Sequence, residues 1–396
     1  MNLTREVVVV GAARTAIGRF DGTLSQTPAT ELGGVAIRAA LERSGIDPAT
    51  VDEVLMGHVL QAGVGQAPAR QAAINAGLPD SVGASTINKV CGSSLKTITL
   101  GAAMIRAGDA DVIVAGGMEN MNLGPYLLKQ ARTGYRLGNA ELIDATVQDG
   151  LWCTFEDWHM GSAAEFIATK FDVSREEQDA FALESHRRAI RAIDECRFQA
   201  EIAPVIVPVR KGEPLVFDTD EAPRRDTSAE ALARLRPLFD ANGTVTAGNA
   251  PSLNDGAAAV VIMDRAAAET QGIQPLARIR AYAQAAVPPK WIFRAPVVAI
   301  RILMENEGTD IADYDLIEVN EAFAAQVVAN GKELEWDWDR LNVNGGAIAL
   351  GHPIGASGAR IVVTLLHAMQ QRGVRTGLAA ACLGGGEAVA LGVELL

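Results

Sequence analysis

Asn88-Lys89-Val90-Cys91-Gly92-Ser93-Ser94-Leu95-Lys96 is the stretch on which the reading of this chain turns. It places a cysteine between the end of a short apolar run, Thr86-Ile87, and the start of a long one, Leu95 to Ile105, whose apolar positions fall at helical spacing. Cys91 therefore stands at a helix N-terminus. Unpaired backbone N–H groups and the helix dipole there favour an anion, so the pattern predicts a lowered thiol pKa and a reactive thiolate. On this stretch alone a small buried core cysteine explains the pattern equally well. The decision rests on what the remainder of the chain brings to it.

Upstream, Glu6 to Val10 reads as a strand buried on both faces, followed by a helix from Ala29 to Arg43 that stops at Gly45. Val51 to Val59 reads as a second strand and Ala67 to Ala76 as a helix, and the helix after Cys91 feeds a strand at Asp111 to Gly117. Alternation of this kind predicts a mostly parallel, layered α/β sheet. The pattern breaks from about 120 to 248. That segment carries helices at Ser162 to Phe171 and Arg175 to Cys196, the second opened by a capping box, Ser174 with Glu177. It reads as an insertion on the α/β core, placed to set specificity.

After Thr246 the layered pattern resumes and repeats the first half. Arg38 to Asp47 and Val51 to His58 have counterparts in Arg301 to Asp310 and Tyr314 to Glu321, both at an offset of 263 residues. A Gly/Ser turn, apolar helix and glycine-ended strand occur at Cys91 to Gly117 and again at Gly355 to Gly386. A period this long implies two similar domains whose equivalent turns face each other. The expected division is an N-terminal domain at 1–120 completed by 249–270, an inserted loop domain at 121–248, and a C-terminal domain at 271–396.

Composition narrows the function classes. The chain has 396 residues, with 48% hydrophobic and 21% charged, so it is globular and large enough for several cores. A net charge of −13 argues against nucleic acid or an anionic membrane surface as partner. Cys91, Cys153, Cys196 and Cys382 are too few and too scattered for a disulfide scaffold, and no C-x-x-C pair offers a metal site. No run approaches membrane-spanning length, and the apolar run within Met1 to Val10 is too short for a signal peptide. The expectation is a cytoplasmic protein.

The second half supplies candidates to join Cys91. Asn342 to Arg360 is a glycine-dense loop around His352-Pro353 that leads into a helix; it lacks both the Lys of a P-loop and a G-x-G-x-x-G frame. Leu378 to Gly386 is a small-residue strand that runs into Cys382 and three glycines. Asn320-Glu321-Ala322-Phe323-Ala324 ends an apolar run, where Asn320 reads alternatively as a helix cap.

Five stretches resemble the motifs of the thiolase family, in order and over essentially the whole chain. They are Asn-x-x-Cys-Gly-Ser at 88–93, Gly-Thr-Val-Thr-Ala-Gly-Asn-Ala at 243–250, Asn-Glu-Ala-Phe-Ala at 320–324, the His352 loop at 345–360, and Cys-Leu-Gly-Gly-Gly at 382–386. His159-Met160-Gly161 resembles the loop of the short-chain biosynthetic branch. The resemblance implies a fold of two duplicated α/β domains in αβαβα layers with an inserted loop domain. It implies reversible Claisen condensation of two acetyl-CoA to acetoacetyl-CoA and CoA through an acyl-cysteine, with no cofactor and no metal.

In that reading Cys91 is the nucleophile, His352 the base that activates it and Cys382 the base for the α-proton. Asn320 with His352 forms one oxyanion site, and the backbone N–H groups of Cys91 and Gly384 form another. Leu151, His159, Met160, Arg224, Phe239, Ala247, Ala322 and Phe323 match positions around coenzyme A and the acyl group. Arg224 and Arg225 read either as local positive charge for coenzyme A or as solvated loop residues. A homotetramer, a dimer of dimers with 121–140 as an assembly loop, is also implied. A 3-ketoacyl-CoA thiolase of broader chain length and a non-catalytic acyl-CoA-binding member of the fold are the alternatives. Ser94, Pro251-Ser252 and Trp291-Ile292-Phe293-Arg294 depart from the family pattern, and neither Lys89 nor Ser94 has a role derivable from sequence.

Overall fold

The computed structural model describes residues 5–396; the first four residues of the expected N-terminal domain and signal-peptide reading lie outside the described residues. The first half runs β1 (Val7–Thr15), α1 (Ala29–Ser44), β2 (Glu53–Gly57), α2 (Pro68–Ala76), β3 (Gly83–Ile87), α3 (Ser93–Ala107) and β4 (Val112–Asn120). The segment that follows holds α4 (Met160–Lys170) and α5 (Arg175–Asp194), the latter opened by the expected Ser174/Glu177 capping box. Then come β5 (Asn254–Asp264), β6 (Ala277–Ala286), α6 (Ala295–Glu307), β7 (Leu316–Val319), α7 (Ala324–Leu334), α8 (Ser357–Arg372), β8 (Thr376–Leu383) and β9 (Glu387–Leu395).

The strands form one continuous path, β7-β8-β9-β6-β1-β5-β4-β2-β3. Its halves meet where β1 pairs with β6, Val8 against Arg278 and Val9 against Ala277. From that junction the order is mirrored: β1, β5, β4, β2 on one side answer β6, β9, β8, β7 on the other. Even an irregularity is duplicated, since the β1–β5 register shifts between Val9 and Gly11 and the β6–β9 register between Ile279 and Ala281. Leu341 bridges Ile317 in parallel, where β3 pairs with β2 in the first half.

The sheet is mixed, which corrects the mostly parallel expectation. Parallel pairing joins β2 to β3 and β4, and β7 to β8, whereas β5 runs antiparallel to β1 and β4, and β9 antiparallel to β6 and β8. The cause is local. β8 returns as β9 through Gly384-Gly385-Gly386, of which the last two have φ of 90° and 85°, a left-handed backbone that glycine adopts without strain. β4 and β5 form the same antiparallel pair, with residues 121–253 standing in place of that turn. Alternation in sequence could not reveal a hairpin whose loop is a whole inserted segment.

Layering follows from the period-two pattern of β1. Val8 and Val10 point into an outer core shared with α1 and α2, while Val7 and Val9 point into a central core built on α3 and α8. A third core packs α6 on the far side of β8 and β9. The inserted segment is pinned to β1 by fully buried Arg14, whose guanidinium donates to Glu201 Oε1 at 2.6 Å and to both oxygens of Asp220 at 2.7 and 2.8 Å. Among the described residues no helix is long and apolar enough to cross a membrane.

Candidate active site

Duplication brings the N-termini of α3 and α8 together in the central layer. Small residues permit the approach: a Cβ on Gly358 would lie 2.4 Å from Leu95 N, and one on Gly117 would lie 2.1 Å from Gly355 O. Ser94 Oγ, fully buried, accepts the Ala359 N–H at 2.9 Å, so the first turn of α8 is capped by a side chain of α3. This is the role that the sequence did not reveal. Lys89 forms an ion pair with Glu387 at the start of β9, tying the Cys91 turn to the opposite half.

The Cys91 turn holds strain. Val90, a β-branched residue, has φ of 46°, and its neighbours over-determine that conformation. Asn88 Oδ1 accepts the Val90 N–H at 3.0 Å, and Val90 O accepts from the Ser93 hydroxyl at 2.6 Å and the Ser93 N–H at 3.0 Å. Ser93 Oγ in turn accepts the Lys89 N–H at 2.8 Å. The turn presses on the glycine loop after β8. A Cβ on Gly92 would come 2.3 Å from Leu383 Cδ2, and one on Gly384 would come 3.2 Å from Val90 Cγ1.

Position at the helix start does not lower the Cys91 pKa, contrary to expectation. Burial pushes the thiol up to about 12, backbone hydrogen bonding opposes this only in part, and the Glu119 carboxylate adds to the rise. Desolvation outweighs the dipole because Cys91 precedes Gly92, the N-cap of α3, and packs among Val59, Leu60, Met121 and Ile354. Cys382 is buried near the end of β8, and its thiol is raised by burial and then by Cys91. Both cysteines are protonated at neutral pH and need a base.

His352 is the residue expected to serve as that base. Its backbone N–H donates to Asn254 Oδ1 at 2.9 Å, and Nδ1 lies 2.6 Å from Ser357 Oγ. The Ser357 hydroxyl donates to Pro353 O at 2.9 Å, so toward His352 it acts as acceptor. The network thus assigns the proton to Nδ1 and leaves Nε2 with a lone pair. Asn320 Nδ2 lies 3.4 Å from Nε2, and Asn320 Oδ1 has no protein partner. Burial, aided by the positive charge of Arg360, lowers the imidazole to about 3, keeping it neutral. Asn320 is not a helix cap, since α7 begins at Ala324 after Phe323; its N–H is instead fixed to Ala380 O at 2.9 Å.

The remaining expected residues line two cavities and the apolar wall between them. Ala322 and Phe323 pack in one cluster with Cys382, Met160 and Phe239. Phe239 stacks on His159 at 4.8 Å and meets Phe323 edge-on at 6.5 Å; Phe293 meets Phe323 from another side at 5.3 Å. His159 Nδ1 caps α4 by accepting the Gly161 N–H at 3.0 Å, and burial lowers its pKa. Met160 lines a cavity of about 430 Å³ with Asn88, Val90, Cys153, Phe155 and Gly384. Leu151 is half-buried between Gly150 and Trp152 of that cavity wall.

Arg224 and Ala247 lie elsewhere, in a groove of about 530 Å³ shared with Arg19, His186, Gly248 and Ser252. Arg225 does not join them, since its guanidinium is engaged by Asp194 at 2.6 and 3.0 Å on the surface. Ala250 lines the groove and also packs in the cluster of Cys382, which connects the two regions.

Sequence reasoning missed Ser357, Asn254, Glu119 and His58. Ser357 lay inside a quoted motif five residues after His352, and its proximity was the available signal. Asn254 carried no signal, because its partner is 98 residues away. Of the departures from the family pattern, Ser252 Oγ meets Asn254 Oδ1 at 3.1 Å, Trp291 packs edge-on to Phe166 at 5.1 Å, and Arg294 pairs with Glu333.

Comparison with known proteins follows the same outline. Residues 7–266 match the model of the thiolase N-terminal domain and residues 273–395 that of the thiolase C-terminal domain. The acetyl-CoA acetyltransferase of Pseudomonas aeruginosa is 58% identical over 387 residues, 98% of each chain. That of Escherichia coli is 55% identical, covering 99% of this chain and all of the relative. The crystal structure of the Bacillus anthracis acetyl-CoA acetyltransferase superposes with a TM-score of 0.98 at 43% identity, over the full length of both chains.

Proposed function

This chain belongs to the thiolase family, and from that premise we propose that it is an acetyl-CoA C-acetyltransferase, condensing two acetyl-CoA to acetoacetyl-CoA and CoA and running the reverse thiolysis. The observation that carries the chemistry is the neutral, Nδ1-protonated His352 held between Ser357 and Asn320. Its Nε2 lone pair takes the Cys91 S–H proton. The thiolate attacks the acetyl thioester and CoA leaves with the proton of the Cys382 thiol, so that acetyl-Cys91 remains beside a Cys382 thiolate and a His352 protonated on Nε2.

In the second half-reaction the Cys382 thiolate takes the α-proton of another acetyl-CoA. A thiol raised by burial gives a strongly basic thiolate, as a weakly acidic C–H requires. His352, now donating from its protonated Nε2, and a water held by Asn320 stabilise the enolate oxygen, and the N–H groups of Cys91 and Gly384 stabilise the tetrahedral oxyanion at the acetyl group. The enolate carbon bonds to the acetyl carbon, Cys91 leaves as thiolate and takes back the proton held on His352 Nε2, and Cys382 keeps the α-proton as its resting thiol. Leu151, His159, Met160, Phe239, Ala247, Ala322 and Phe323 shape the acyl and pantetheine path, and Arg224 supplies charge for coenzyme A.

We further assign the domain division 1–120 with 249–270, 121–248 and 271–396, a cytoplasmic location, and a homotetramer. The exposed Tyr126, Leu128 and Leu137 of 121–140 support an assembly loop, which light scattering on a deletion of that loop tests. Mass spectrometry after mixing with acetyl-CoA tests the mechanism. The expected product is one acetyl group on Cys91, absent from Cys91→Ser together with turnover; acetyl on any other residue refutes the assignment. Turnover across acyl lengths of 3-ketoacyl-CoA separates this reading from a thiolase of broader range.

A further inference from the structure

Glu119 has no place in the mechanism above, yet it is fully buried beside it. It stands near the end of β4, and its carboxylate is the meeting point of both catalytic turns. Oε2 accepts the Val59 N–H at 3.1 Å and the Gly355 N–H at 2.9 Å. Oε1 accepts the Leu60 N–H at 3.2 Å and lies 3.1 Å from His58 Nε2. Val59 O and Asn88 Nδ2 are 3.4 Å apart, which carries the connection into the Cys91 turn. Gly355 belongs to the His352 loop, and a Cβ there would sit 2.7 Å from Glu119 Oε2, so the residue must be glycine for the carboxylate to approach.

The duplication gives this contact a meaning. α3 begins at Ser93 and α8 at Ser357, and counting back two residues from each makes Gly355 the counterpart of Cys91. The Cys91 N–H is proposed above to receive a substrate oxyanion. Its counterpart, the Gly355 N–H, already receives an anion, and that anion is the protein's own carboxylate. His58 completes the arrangement. Its Nδ1 is buried without a partner, so the ring's one side-chain polar contact is Nε2 toward Glu119.

We propose that Glu119 is a positioning residue: its carboxylate fills the anion hole that the duplication created at the start of α8, and thereby clamps the His352 loop and the loop under Cys91 in one geometry. The proposal rests on the functional reading given above. A carboxylate can accept all of these donors at once, whereas the carboxamide of Gln, with one accepting oxygen, leaves at least one buried N–H facing a donor. Displacing reacting groups by a fraction of an ångström costs rate more than affinity.

The experiment compares wild type, Glu119→Gln and His58→Leu. For Glu119→Gln, kcat for condensation falls about 100-fold, KM for acetyl-CoA stays within about twofold, and the burst of acetyl-Cys91 slows in parallel. His58→Leu, which removes one donor and leaves the others, loses several-fold in kcat in the same direction. Amide hydrogen exchange at Leu60 and Gly355 reads the clamp without turnover: protected in wild type, faster in Glu119→Gln. Wild-type kcat in Glu119→Gln, or a loss expressed mainly in KM, overturns the proposal. If Glu119→Gln does not fold, His58→Leu decides, and unchanged kcat and exchange in it overturn the proposal. Failure of wild type to acetylate Cys91 would refute the functional reading, while the exchange data would still decide the clamp.

Discussion

Ser93 and Ser357 open equivalent helices in the two halves and do equivalent work on different groups. Ser93 donates to Val90 O and accepts the Lys89 N–H, fixing the turn that presents Cys91. Ser357 donates to Pro353 O and accepts from His352 Nδ1, fixing the imidazole. The same contact, a helix-start hydroxyl returned to the turn before it, holds the Cys91 turn in one half and selects the His352 tautomer in the other. The halves also differ in the hairpin: three residues close β8 to β9, whereas 121–253 open β4 to β5 and line most of the groove around Arg224.

Removing each serine sharpens that division. Ser357→Ala leaves His352 free to carry its proton on Nε2, where it cannot act as base, so kcat should fall about 100-fold with little change in KM, the size usual for losing the group that orients a ligand or base. Ser93→Ala leaves the strained Val90 turn intact at Asn88 and at the Ser93 N–H, so its loss of kcat should be about tenfold. Equal losses would show that the two hydroxyls share a purely structural role. Steady-state kinetics on both variants provide the measurement.

Acid stability separates the halves at the level of charge. His352 is held near 3 by burial and Arg360, and an unfolded imidazole titrates near 6.5. The stability tied to keeping this ring neutral is therefore complete above pH 6.5. As pH falls further, the unfolded state takes up the proton first and stability is lost at about 1.4 kcal/mol per unit. His186 behaves alike, lowered to about 4 by burial and Arg224. Buried Asp255, raised to about 6, has the opposite sign and gains stability with acid, so the raw curve mixes both. The difference between wild type and His352→Asn isolates one ring. Between pH 7 and pH 5 wild type should lose about 2 kcal/mol relative to the variant in denaturant melts. The first half offers no such term at Cys91, whose thiol is neutral over that range in both states.

Much of this was legible in sequence because it is local or periodic. The duplication showed as two segments at a common offset, and the mirrored strand order and repeated bulge follow from it. His352 stood in a loop dense in glycine, Cys382 on a strand running into three glycines, Cys91 at a turn beside Gly92, and Asn320 at the polar end of an apolar run. What was not legible depended on partners distant along the chain. The antiparallel return of β5 was hidden because its hairpin loop is an inserted segment. The Cys91 pKa was misjudged because helix position is local, whereas desolvation by Leu60, Met121 and Ile354 and the nearby Glu119 charge are tertiary. Glu119 carried no signal in sequence, because Gly355, whose N–H it accepts, lies 236 residues on.

Ser94 provides the finest comparison, because its counterpart is Gly358 and the two are complementary rather than alike. A Cβ on Gly358 would lie 2.4 Å from Leu95 N, so the second half has no room for a side chain there. The Ala359 N–H beside it is among the first of α8, without an intrahelical acceptor, and Ser94 of the first half reaches across to satisfy it. The hydroxyl present in one copy thus serves the helix end that the other copy leaves bare. Ser94→Ala should behave as the loss of a helix cap, about 1 kcal/mol of stability, and about 1–2 °C in thermal midpoint for a chain of this size. The acetylation burst should stay near wild type, since the Asn88 and Ser93 contacts that hold Cys91 remain. A loss of turnover exceeding the loss of stability would mean that the α3–α8 contact is part of the catalytic geometry, and that the two halves are coupled through it more tightly than a shared cap requires.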